Sequence, residues 1–193
     1  RSTLFPYTTL FRSDRGRRGG DRAGQDGGWS VSYQDFIAKK RHLIGEFGFD
    51  PVWMPDCAFD FQQAIIEKAV RKGRVGVFAD TGLGKTLIQL SIANNVVNKT
   101  NGRVLILTPL AVAFQFLEEA EKIGVDDVKH FKSGAIEGKI VVCNYERLHL
   151  LDPSDFECVI LDESSILKNF QGKTRDQIVA FIRKVKYRFL ATA

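Results

Sequence analysis

From Phe59 to Ala193 two patterns alternate along the chain: runs of three to five apolar residues, and longer stretches in which apolar residues return every three or four positions. The second pattern marks the buried stripe of a helix. The first, short and rich in Val, Ile and Leu, marks a strand buried on both faces. In order, the pattern predicts a helix over 61–72, a strand at 75–78, a helix over 85–98, a strand at 104–108 and a helix over 111–123. It continues with strands at 140–143 and 159–161, a helix near 175–185 and a strand at 187–191. Short apolar strands alternating with helices of this length predict an α/β fold, with a central, mostly parallel sheet and helices on both faces. Upstream the signal thins. Tyr33, Phe36, Ile37, Lys40 and Ile44 keep helical spacing and predict a short helix closed by Gly45 and Gly48, with Lys39, Lys40 and Arg41 on its solvated face. Residues 48–56, GFDPVWMPD, read as a turn-rich linker, so 31–58 is expected to be a helix and linker ahead of the domain at 59–193.

The first thirty residues carry neither period. Thr3 to Ser13 resembles the translation of a common sequencing-library adaptor, so residues 1–13 are set aside as an assembly artefact rather than a signal peptide. Residues 14–28 contain no apolar side chain larger than Ala, and 14–30 are expected to be a non-native disordered tail, with the natural start at Val31.

Composition otherwise describes one ordinary globular domain: 193 residues, 44% apolar and 26% charged. The net charge of +5 hints at an anionic partner, but residues 1–28 hold six Arg and three Asp. Without them, 28 basic and 23 acidic groups become 22 and 20, net +2, and charge says little about partners. Cys57, Cys143 and Cys158 lack metal-ligand or disulfide spacing, and two sit in apolar runs, which fits a reduced, cytoplasmic setting in a bacterial or phage-infected cell. His42, His130 and His149 show no metal-ligand interval. No apolar stretch approaches the roughly 18 residues that span a bilayer, so no membrane partner is expected.

The chemistry gathers at two strand ends. The predicted strand at 75–78 runs into Ala79-Asp80-Thr81-Gly82-Leu83-Gly84-Lys85-Thr86 and then into a helix, the context a phosphate-binding loop requires. Gly82 and Gly84 let the backbone curl so that successive N–H groups point inward, where the helix N-terminus adds its positive dipole end. Thr81 to Thr86 would then cradle the phosphates, with Lys85 reaching the β- and γ-phosphates and the Thr86 hydroxyl on Mg²⁺. The plain alternative is a glycine turn with no ligand. Cys158-Val159-Ile160-Leu161 ends at Asp162-Glu163, two carboxylates at the carboxyl end of a strand, where open α/β sheets hold ligands. Asp162 would hold Mg²⁺, and Glu163 would orient and deprotonate an attacking water. By itself such a pair is equally the start of a loop; a phosphate loop 77 residues upstream favours the catalytic reading.

Taken together, these residues resemble the ATP-binding lobe of superfamily-two helicases, specifically Swi/Snf-type translocases and related phage helicases. The loop begins with Ala79 rather than Gly, as in that superfamily's first motif, and DESSILKN (162–169) resembles its second, with Ser164-Ser165 in place of the Ala-Asp or Ala-His of the named boxes. The resemblance implies a RecA-like lobe, ATP and Mg²⁺ as cofactors, and nucleic acid as partner, DNA being favoured. It also implies adenine recognition by Gln62, with Gln63 as rival, and nucleic-acid contacts from Thr108 and Pro109 of VLILTP (104–109). The final LATA (190–193) resembles the start of the third motif, which would make Ala191 and Thr192 coupling residues. VVCNYE (141–146) resembles the strand and turn that follow in the group but suggests no chemistry of its own. A second RecA-like lobe, absent from this chain, would complete the motor, and this fragment, ending at the third motif, is expected to be poorly active. The rival expectations are the motor subunit of a restriction-type complex and a nucleotide-binding module that does not hydrolyse.

Overall fold

The computed structural model describes residues 47–80, 82–165 and 173–192. The readings made for residues 1–46, Thr81 and Ala193 lie outside them. The described chain runs α1 (Asp60–Lys72), β1 (Arg74–Phe78), α2 (Lys85–Thr100), β2 (Val104–Thr108), α3 (Ala113–Ile123), β3 (Val128–His130), β4 (Ile140–Asn144), β5 (Cys158–Leu161), α4 (Lys173–Lys184) and β6 (Tyr187–Thr192). All six strands are parallel, in the order β1-β6-β5-β2-β4-β3.

The unbroken apolar runs follow from burial on both faces. Val104 and Ile106 of β2, with Cys158 and Ile160 of β5, pack under α1, α2 and α3. Leu105, Leu107, Val159 and Leu161 point the other way, onto Ile178, Phe181 and Ile182 of α4 and onto Tyr145 and Leu148 of a 3₁₀ turn. Every residue of β2, β4 and β5 is buried, as a parallel sheet sandwiched between helices requires. Burial also fixes the thiols. It pushes Cys143 up to about 11 and raises Cys158, so both behave as small hydrophobes, while Cys57 is exposed.

The structure departs from the predicted pattern in three places. The three-residue edge strand β3 went unpredicted, because only Val128 of its residues is buried and so short a segment shows no alternation. The helix expected from 111 opens instead as a 3₁₀ turn, Leu110–Val112, closed by the Val112 N–H on the Pro109 carbonyl, before α3 begins at Ala113. Residues 47–56 are no free linker. Phe47, Gly48 and Phe49 donate their N–H groups to the carbonyls of Lys72, Arg71 and Val70 at the end of α1, and a Cβ on Gly48 would stand 1.8 Å from the Val70 oxygen, so only glycine fits there. Farther on, Asn95 of α2, fully buried, accepts from Val52 N (2.8 Å) and Trp53 N (3.0 Å) and donates to Trp53 O (2.8 Å). Phe49, Trp53 and Met54 pack against the core beneath. The segment is a strap tied across α1 and α2.

Candidate functional site

The strand order brings the carboxyl ends of β1, β6, β5 and β2 side by side, and with them both sequence motifs. The loop after β1 is anchored at its start by the Ala79 N–H on the Thr192 carbonyl of β6, 3.1 Å. Gly82 and Gly84 both take left-handed backbone, φ 84° and 73°, which glycine alone adopts without strain. Gly84 is the residue that starts α2, and a Cβ there would lie 2.4 Å from Gln62 Nε2. That amide donates to the Leu83 carbonyl at 3.0 Å, while its Oε1 accepts the Phe59 N–H at 3.0 Å. Gln62 is 4% exposed, so it both caps the start of α1 and ties α1 to the loop. Gln63 donates instead to the Ala58 carbonyl. Between the two candidates for base recognition, Gln62 is the one at the loop. Lys85 and Thr86 follow half-buried in the first turn of α2. Lys85 borders a small cavity shared with Val77, Gln89, Ile160 and Ala191.

Asp162 is 9% exposed and held on four sides. Gln89 of α2 donates Nε2 to Oδ1 at 2.8 Å, and Thr108 of β2 donates its hydroxyl to Oδ2 at 3.0 Å. Its own N–H bonds to Leu107 O at 2.7 Å, and its carbonyl accepts the Tyr145 hydroxyl at 2.6 Å. Burial, and then the nearby Asp162 and Glu163 charges, raise the Tyr145 phenol, which therefore stays a neutral donor. A buried carboxylate needs such partners, since an unpaired charge taken from water is heavily penalised, and each hydrogen bond to a charged group contributes about 1.5–3 kcal/mol. Both donors to the carboxylate are neutral, so its negative charge remains available to a cation. Glu163 adopts φ 49°, a left-handed conformation costing a non-glycine residue roughly 1–2 kcal/mol. The turn brings its Oε1 to the Ser165 hydroxyl and, at 3.2 Å, to the Thr192 hydroxyl of β6.

The structure thus gathers Gln62, the glycine loop, Lys85, Thr86, Asp162, Glu163, Ala191 and Thr192 at one end of the sheet. Thr108 sits elsewhere than a nucleic-acid contact needs: its side chain is fully buried and its hydroxyl is bonded to Asp162. Of that pair only Pro109 lies toward the surface, next to Leu110 and Phe114, 57% and 60% exposed. Sequence reasoning missed Gln89 and Tyr145, whose partners lie 73 and 17 residues away, beyond any local pattern. It also passed over Phe59 and Phe61, exposed aromatic rings stacked 6.0 Å apart on either side of Asp60 and adjacent to Gln62; aromatic residues flanking a buried glutamine were the available signal.

Comparison with known proteins agrees with this arrangement. Among solved structures, the chain is similar to the UvsW helicase of Bacteriophage T4, with a TM-score of 0.60 at 17% identity, over 84% of this chain and 60% of that one. It is also similar to the SWI2/SNF2 ATPase core of Sulfolobus solfataricus, solved in complex with dsDNA, with a TM-score of 0.57 at 19% identity, over 77% of this chain and 34% of that one. At these identities the likeness is one of fold, a RecA-like lobe, and the chain spans between a third and three fifths of those proteins. A search of curated protein sequences finds no match. The family model of the DEAD/DEAH box helicases matches residues 59–193, the whole of the sheet and its helices, and the chain belongs to that family.

Proposed function

We propose that the chain is the ATP-binding and hydrolysing first lobe of a nucleic-acid-dependent helicase or translocase. The observation that carries this reading is the convergence of two acids on the phosphate loop: Asp162, tied through Gln89 to the helix that begins with Lys85, and Glu163, tied to Thr192. DEAD/DEAH box helicases use ATP with Mg²⁺. The residues here fit that cation. Asp162 and Thr86 offer the hard oxygen donors Mg²⁺ takes, and Gln89 Oε1 is a buried acceptor with no partner among the described residues. When bound, Mg²⁺ neutralises charge developing on the transferred phosphoryl group.

The chain's own residues do the rest. The N–H groups of the loop from Gly82 and the start of α2 bind phosphate oxygens, and Lys85 places its ammonium on the outer phosphates. Asp162 keeps its charge fixed toward the cation. Glu163 orients water and takes its proton. The adenine lies against Gln62, with Phe59 and Phe61 as an aromatic platform. Because Glu163 shares hydrogens with Ser165 and Thr192, a shift of β6's end changes how freely Glu163 accepts a proton, and this is the link from hydrolysis to movement. The turn from Pro109 through Leu110, with Phe114, is the face offered to nucleic acid, DNA foremost. A second lobe completes the site.

Glu163→Gln in the full-length protein tests the assignment. ATP binding is expected to stay within about twofold while nucleic-acid-stimulated hydrolysis falls by about 10²–10⁴. Hydrolysis at the unsubstituted rate would refute the role of Glu163, and absence of hydrolysis in the parent protein with single-stranded DNA, duplex DNA and RNA alike would favour a binding module.

A further inference from the structure

We propose that Gln89 is an outer ligand of the cation that accompanies ATP: one end of its amide fixes Asp162, and the other accepts a hydrogen from a cation-bound water. The proposal rests on the nucleotide reading above and adds to it a residue outside the three motifs. Gln89 lies one turn beyond Lys85 on α2 and is 2% exposed. Its Nε2 donates to Asp162 Oδ1 at 2.8 Å, while Oε1 is buried and has no partner among the described residues. Chemistry sets the orientation of the amide: an ionised carboxylate only accepts, so the NH₂ end must face Asp162 and the carbonyl must face away from it.

Gln89 and Lys85 border the same small cavity, whose other walls include Val77, Ile160 and Ala191. Those side chains offer the carbonyl no hydrogen, so it looks into a space supplied with donors only by Lys85 or by water. Hydrated Mg²⁺ retains several waters when it binds nucleotide phosphates, and groups that bond both a metal's ligand and its water set the metal's affinity. Packing alone does not explain a glutamine here. Its neighbours Ile88, Leu90 and Ile92 are apolar and essentially fully buried, and an apolar side chain of the same length would fill the position without leaving an acceptor unpaired. Gln89 is thus a positioning residue, acting through Asp162 and through water.

The test is a titration of ATP against the chain in Mg²⁺ and again in EDTA, taking the ratio of the two affinities as the magnesium effect. Gln89→Met, close in volume but with neither amide donor nor carbonyl acceptor, is expected to shrink that ratio by about 10- to 100-fold while leaving the EDTA affinity unchanged. Gln89→Glu sets an introduced carboxyl against Asp162, so that the two acids share a proton. Its ratio is expected to rise with pH between about 5 and 8 more steeply than that of the unsubstituted chain. A folded Gln89→Met chain with an unaltered ratio overturns the proposal, and if that variant does not fold, a Gln89→Glu ratio that tracks the unsubstituted chain at every pH does so. An unsubstituted chain showing no magnesium effect overturns the nucleotide reading itself, a result distinct from failure of the variants alone.

Discussion

Gly84 shows how a single missing Cβ can decide whether the loop forms. Its φ of 73° puts any other residue under strain, and the added carbon would strike Gln62 Nε2 at 2.4 Å. Gln62 cannot simply swing aside, because doing so breaks both its bond to the Leu83 carbonyl and its cap on the Phe59 N–H. Gly84→Ala is therefore expected to lower thermal stability, with about 1–2 kcal/mol from the backbone and a further contribution from the displaced amide. In a Gln62→Ala background the second part should vanish and the first persist. Melting curves of the two single variants and the double variant check this. Equal costs of Gly84→Ala in both backgrounds would show that the glutamine contact plays no part. Glu163 belongs to the same scale. Its left-handed backbone sits beside the residue that holds the cation, as strained residues at reactive centres often do.

At the scale of elements, the strap over 47–56 binds the two helices that flank the loop. Asn95→Ala would strand the Val52 and Trp53 N–H groups, now bonded to it within a part-buried surface, and is expected to cost about 2 kcal/mol. ATP affinity should change little, since Asn95 lies ten residues along α2 from Lys85. A chemical denaturation midpoint that does not move would contradict the tie. The same scale shows what was legible in the chain beforehand. Strands β2, β4 and β5 were readable because a strand covered on both faces must be apolar along nearly its whole length, and the loop was readable because its glycines and lysine are contiguous. The strap was misread as a linker: Pro51 and Pro55 do mark turns, but its attachment depends on Asn95, more than 40 residues away. Thr108 was placed by its motif at a strand end facing nucleic acid. Its actual direction is fixed by the pairing of β2 with β5, which sets Leu107 beside Leu161 and so brings the next residue of each strand, Thr108 and Asp162, together. VVCNYE suggested no chemistry, yet its tyrosine holds the Asp162 carbonyl.

For the molecule as a whole, the parallel order β1-β6-β5-β2-β4-β3 is what turns separate motifs into one site. Placing β6 between β1 and β5 lets Thr192 touch Glu163 while its carbonyl anchors Ala79, so the third motif bridges the phosphate loop and the acidic pair. Net charge played almost no part in identifying this lobe; geometry at the strand ends did. No helix among the described residues is long and apolar enough to cross a membrane. The central claim is that the loop from Ala79 to Thr86 binds the phosphates of ATP through Lys85. The most direct measurement is an equilibrium titration of Mg-ATP against the chain and its Lys85→Ala variant, with both shown to be folded by circular dichroism. Saturable one-to-one binding that weakens by about ten- to a hundredfold on substitution is the predicted result, the loss expected for one charged hydrogen-bonding group. Equal affinity in the two proteins, or no saturable binding by the unsubstituted chain, would contradict it.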